Sequence, residues 1–168
     1  MALDVTTLTV EQALAISMNS EIDSERVYRK LGEMVHNFVL REKMAFLISE
    51  EKKHQKIIRA LFDKLAPNLE MKLTEQRIYP GLNLVVEESA TVTDLLEAAM
   101  EAEKAAEEFF DALSQEAEER GVQEILQYLA SMEHSHYFLL KGEYDLCMRD
   151  ESYYEREDFQ FDMVHIGP

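Results

Sequence analysis

Two short stretches, Glu51-Lys52-Lys53-His54 and Glu133-His134-Ser135-His136, each place an acid three residues before an imidazole, and they lie 82 positions apart. The same shift carries Glu21 onto Glu103. Each half of the chain therefore holds one glutamate and one Glu-x-x-His. Residues three apart on a helix project from one side, so a carboxylate oxygen and an imidazole nitrogen can reach a single ion. A third carboxylate from a neighbouring helix completes a half-site, and two half-sites facing each other across a bundle can share bridging carboxylates. Oxygen-rich ligation with one imidazole per metal suits iron or manganese better than a thiolate-seeking ion. Without metal, four carboxylates in an apolar core would have to protonate or separate, because burying uncompensated charge is costly.

These residues belong to an internal repeat. Residues 13–63 laid over 95–145 share 11 identities in 51 positions, among them Glu21/Glu103, Glu25/Glu107, Glu51/Glu133 and His54/His136. A third Glu-x-x-His, Glu33/His36, falls opposite Gln115 and Glu118 and so breaks the symmetry; it is expected to bind nothing. The acids and imidazoles also sit on apolar stripes. Leu40, Met44, Leu47, Glu51, His54, Ile58, Leu61 and Leu65 follow steps of four and three, as do Val122, Leu126, Leu129, Glu133, His136 and Leu140. Leu14, Met18, Glu21, Glu25 and Tyr28 share one helix face, matched by Leu96, Met100, Glu103, Glu107 and Phe110.

Four helices can position these faces. The first is predicted from Thr9, where Thr9-Val-Glu-Gln12 reads as a capping box, to about Asn37. The second runs from about Leu40 to Leu65, before Pro67. The third begins near Thr91 or Thr93 and is expected to stop at Arg120-Gly121. The fourth spans about Val122 to Met148. Short joints within each half and a long connection at 67–91, with Tyr79-Pro80-Gly81 and an apolar run from Leu82 to Val86, imply two antiparallel helix pairs joined by a segment that crosses the bundle. The fold class is all-α: an antiparallel four-helix bundle over residues 1–148. Residues 149–168 form an acidic, aromatic tail, expected to pack on the bundle or on a partner through Tyr153, Tyr154, Phe159 and Phe161; its Asp162/His165 pair lies outside the repeat.

A 168-residue chain with 46% hydrophobic and 30% charged residues, five Gly and three Pro is suited to one soluble helical domain. No window approaches a membrane span and Met1-Ala2-Leu3-Asp4 lacks the features of a signal peptide, so the expected location is the cytoplasm, with no membrane partner. The formal charge of −17, with no Lys/Arg stripe, argues against nucleic acid and for cations. The single cysteine, Cys147, excludes an internal disulfide or a four-cysteine metal site and reads as a small buried residue.

The segments AISMNSEIDSERVY followed by ISEEKKH, and LEAAMEAEKAAEEFF followed by LASMEHSH, resemble the duplicated helix pairs of the rubrerythrin branch of the ferritin-like superfamily over about residues 9–148. The resemblance implies that Glu21, Glu51, His54, Glu103, Glu133 and His136 ligate two iron ions, with manganese or another divalent metal as the substitute, and that Glu51 and Glu133 bridge them. It implies a non-haem di-iron oxidoreductase that reduces hydrogen peroxide or dioxygen; a ferroxidase or iron-handling protein acting on ferrous iron is the alternative, and a helical interaction module with a vestigial site is a third reading. Rubrerythrins proper carry a four-cysteine rubredoxin-like domain, so electrons here are expected from an external rubredoxin-like donor. A homodimer is expected. Tyr28 matches a tyrosine that lies near the metals in the family, whereas its repeat partner is Phe110, so any support it lends is one-sided. Glu25 and Glu107, one turn beyond Glu21 and Glu103, stay open between extra ligands, hydrogen-bond acceptors behind the ligands and rim residues.

Overall fold

The computed structural model describes residues 5–73 and 89–150. A 3-10 turn at Val5–Thr7 precedes α1 (Val10–Met34), α2 (Phe38–Leu65), α3 (Val92–Glu116) and α4 (Arg120–Arg149). Among the described residues there is no strand. The Tyr79-Pro80-Gly81 turn, the Leu82 to Val86 run and the aromatic tail with its Asp162/His165 pair lie outside the described residues.

The helix ends follow local chemistry. Thr9 caps α1 in a full capping box: its hydroxyl accepts from the Gln12 amide, and Gln12 Oε1 accepts from the Thr9 amide at 2.9 Å. Thr91 and Asp94 build the same box at α3. Two backbone donors left orphaned by the helix start are satisfied at each. Asn37 stands outside α1 and instead caps α2, accepting from the Leu40 amide at 3.1 Å. Its counterpart Glu119 makes no such cap for α4, and its carboxylate pairs instead with Lys64 of α2.

The repeat is carried into the helix boundaries: α1 shifted by 82 residues starts at 92 and ends at 116, which are the bounds of α3, and the start of α2 at 38 becomes 120, the start of α4. This corrects the expected stop at Gly121. Gly121 lies inside the first turn of α4, opposite Val39 of α2, and α3 already ends at Glu116 with Ala117 in an extended conformation.

Helices α1 and α2 form one antiparallel hairpin and α3 and α4 the other, joined edge to edge mainly through α1 and α3. The start of α1 meets the ends of α2 and α3 and the start of α4 around one cavity, so α2 and α3 run parallel. The connection from Leu65 to Val92 therefore has to link opposite ends of the bundle. The apolar interior is divided in two. One core gathers Leu14, Met18, Ile58, Leu61, Phe109, Phe110, Leu126 and Leu129; the other gathers Val27, Tyr28, Leu31, Leu40, Met44, Leu47, Leu96 and Leu140. On every helix the candidate site residues fall between the two.

Candidate metal centre

Each helix contributes to one charged layer between the two cores: Glu21 from α1, Glu51 and His54 from α2, Glu103 from α3, Glu133 and His136 from α4. All six side chains are at most 2% exposed, which for four carboxylates and two imidazoles demands mutual compensation. The 3.6-residue period turns Glu51 with His54, and Glu133 with His136, to the same interior face.

The imidazoles stack face to face, ring centres 5.3 Å apart and 19° from parallel, and both turn Nδ1 toward the carboxylates. His54 Nδ1 lies 3.1 Å from Glu21 Oε2, 2.9 Å from Glu133 Oε1 and 3.6 Å from Glu51 Oε2. His136 Nδ1 lies 3.2 Å from Glu51 Oε1, 3.3 Å from Glu133 Oε2 and 3.6 Å from Glu103 Oε2. Glu51 and Glu133 thus each offer one oxygen to each histidine, whereas Glu21 approaches only His54 and Glu103 only His136. Glu51, His54, Glu133 and His136 can bring one donor atom apiece within 4.8 Å of one another.

The donor set fits a metal pair. Glu21 Oε1, both oxygens of Glu51, Glu103 Oε2, Glu133 Oε1 and His136 Nδ1 are buried without a hydrogen-bond partner, despite the short charge-pair distances around them. So many orphaned acceptors in one dry layer are expensive unless a cation satisfies them.

Without a cation, protons must neutralise the layer. Burial, reinforced by the negative charges of Glu133 and Glu51, pushes Glu21 and Glu103 well above the ordinary carboxyl range. Burial acts to raise Glu51 and Glu133 as well, yet the close approach of the His136 and His54 rings outweighs it and holds both below that range. Burial alone would lower the imidazoles; the facing carboxylates, Glu133 and Glu21 for His54 and Glu103 and Glu133 for His136, carry both rings far above 6.5 instead. These shifts run toward neutral Glu21 and Glu103 beside charged Glu51 and Glu133 and protonated imidazoles, a direction that offsets the layer's charge. Two divalent ions against four carboxylates balance equally well, so protons and metal are alternative occupants of one neutral cavity.

Around this layer the two halves differ. The Tyr28 hydroxyl donates to Glu103 Oε1, across from α1 to α3. Burial and the nearby Glu103 and Glu51 charges raise its pKa, so it stays a donor. Phe110, its repeat partner, has no hydroxyl to offer. Glu25 and Glu107 sit on the rim. Glu25 accepts from Gln55 Nε2 at 2.9 Å and pairs with Arg29 at 2.6 Å, while Glu107 lies 2.9 Å from Nδ1 of the exposed His134. Glu33 and His36 are both exposed, away from the layer. Sequence reasoning missed two buried acids. Glu143, 1% exposed and paired with Lys43, follows His136 by seven residues on the same stripe, a signal that was present; Glu50, 6% exposed and paired with Lys53, carried none.

The family model for rubrerythrin matches residues 12–144. The chain belongs to the rubrerythrin family. A solved structure of a hypothetical protein from Pyrococcus furiosus is 32% identical to this rubrerythrin-family chain, covering 87% of it and 94% of that chain, with a TM-score of 0.78. No curated protein matches. The buried Glu/His layer of this family member is compatible with a di-iron site. Among the described residues no helix is long and apolar enough to cross a membrane.

Proposed function

We propose that this rubrerythrin-family protein is a non-haem di-iron oxidoreductase that reduces hydrogen peroxide, and also dioxygen, with electrons from an external donor. The observation that carries this reading is the division of Glu51 and Glu133 between the two histidines, which suits two ions held side by side. Glu21 and His54 would complete one ligand set, Glu103 and His136 the other. Bound there, an iron pair would supply the two electrons that convert one peroxide and two protons into two waters.

The chain's own part is positional. Glu51 and Glu133 hold the two ligand sets together, and the apolar cores on both sides limit water. Tyr28 ties down one oxygen of Glu103 and leaves the other turned to the site. Cys147 is buried beside Thr93 and alone cannot hold a rubredoxin iron, so each turnover draws on a separate reductant of the rubredoxin type. Stopped-flow absorbance after anaerobic ferrous loading tests the proposal. Rapid oxidation by peroxide, with sustained turnover only when a reduced donor is added, is the expected result. Continued uptake and oxidation of ferrous iron without a donor would favour a ferroxidase, and a loaded protein inert to both oxidants would leave an iron-handling role.

A further inference from the structure

The start of α1 and the ends of α2 and α3 enclose, with the start of α4, a cavity of about 390 Å³. Its inner wall is apolar, formed by Leu14, Leu61, Val122 and Leu126, and its mouth carries Glu116, Glu118 and Glu119. The cavity lies beyond one end of the charged layer, on the same helix faces. Leu14 precedes Glu21 by seven residues, Leu61 follows His54 by seven, and Leu126 precedes Glu133 by seven. On three helices, then, the floor lies two turns, roughly 10 Å at ~1.5 Å per residue, from the candidate ligands. Buried apolar side chains on all four helices fill the gap, among them Met18, Phe110, Ile58 and Leu129.

We propose that this cavity is the entry vestibule for dioxygen, delivering an apolar oxidant along the bundle axis to the iron pair. The inference rests on the function proposed above and adds the oxidant that arrives from this end. The chemistry of the wall selects it. Dioxygen gives up no hydrogen bonds on entering an apolar cavity. Past the inner wall, in the packed stretch of Met18, Phe110, Ile58 and Leu129, each hydroxyl of hydrogen peroxide would lose its water partners and meet only apolar side chains, at a cost of about 1–3 kcal/mol per group. Glu116 and Glu118 at the mouth disfavour anions such as superoxide, while Glu119 is already paired with Lys64. Of those four side chains between floor and layer, Met18 is unbranched with three rotatable bonds, so it is the one suited to move aside.

Two measurements test this. Xenon, an apolar probe of about the size of dioxygen, should occupy the cavity in crystals pressurised with the gas and should be lost from Leu113→Phe and Ala117→Phe, two half-buried wall positions at which a ring points no strain into the metal layer. Loaded anaerobically with ferrous iron, both variants should react with dioxygen at least tenfold more slowly while their peroxide rates stay within twofold. Met18→Ala should shift the ratio the other way. Thermal midpoints close to wild type establish that the variants fold. A cavity that takes no xenon, dioxygen rates unchanged by filling it, or equal slowing of both oxidants would each overturn the vestibule. Xenon in the cavity of a ferrous protein inert to both oxidants would instead sink the di-iron oxidoreductase, and the oxygen route with it.

Discussion

The two ends of the bundle flank the same charged layer with different surroundings. On one side Tyr28 reaches across from α1 and donates to Glu103; on the other, Phe110 occupies the matching position and Glu21 Oε1 has no hydrogen-bond partner. The tyrosine side also buries Glu143 against Lys43, where the repeat partner of Glu143 on the phenylalanine side is Leu61, a wall of the cavity. Duplication has kept the groups that can touch a metal and let the groups behind them diverge. The reason is geometric: a ligand must meet an ion at fixed distance, while a supporting position tolerates any side chain that packs and satisfies its own polar atoms. The two candidate iron positions are therefore related by symmetry in their ligands and distinct in their hydrogen bonding.

The strongest way to break this comparison is to remove what the halves share. Glu51→Ala or Glu133→Ala should lose both ions and abolish oxidation by peroxide, whereas His54→Ala or His136→Ala should weaken mainly one ion and His36→Ala neither. Metal content by elemental analysis after dialysis reads the difference. Equal metal content in all five variants would overturn the ligand assignment.

Removing the metal tests the electrostatic half of the argument. In the metal-free chain Glu21 and Glu103 hold protons more tightly folded than unfolded, so the folded state carries the extra protons and stability falls as pH rises above about 4.5. His54 and His136 have the same sign above about 6.5. Glu51 and Glu133, held low, act oppositely but only below about 4.5. The thermal midpoint of the metal-free protein should therefore drop by several degrees from pH 5 to pH 7, at about 2–4 °C per kcal/mol for a chain of this size. Loading with metal at pH 7 should reverse the loss and release protons, measurable with an indicator dye. A midpoint that climbs steadily over this range would count against a buried acid cluster.

Exchanging the aromatic pair sharpens the contrast without emptying the site. Tyr28→Phe leaves Glu103 Oε1 without its donor and should slow oxidation while both ions remain, with a stability loss of about 1–3 kcal/mol. Phe110→Tyr should offer Glu21 the missing donor, and the double exchange should move the spectroscopic asymmetry of the two irons from one ligand set to the other. Identical Mössbauer spectra for wild type and both single variants would show that the hydroxyl does not distinguish the irons. The smallest effect belongs to the rim. Glu25→Gln or Glu107→Gln should leave metal content and peroxide rate unchanged and alter stability by about 1 kcal/mol or less, because both acids pair at the half-exposed surface. Loss of an ion in either variant would make them ligands after all.

Much of this was legible from residue types and spacing. The two Glu-x-x-His pairs, their glutamate partners and the apolar stripes specify four amphipathic helices with six polar positions facing inward, because the helical period converts sequence spacing into direction without reference to any other helix. The Thr9-Val-Glu-Gln12 pattern likewise marked the Thr9 cap, whereas the end of α3 was misplaced: the expected end of the first helix at about Asn37, shifted by 82 residues, falls at 119, beyond the observed Glu116. Tertiary structure alone decided the rest. Which carboxylate oxygen faces which imidazole, that Tyr28 serves Glu103 of the opposite half, that Glu25 is claimed by Gln55, and that an apolar cavity lies beyond one end of the charged layer all depend on contacts between residues tens of positions apart. Spacing within a helix is a local quantity; the partner met across the core depends on how the helices are joined and packed, which no single helix encodes.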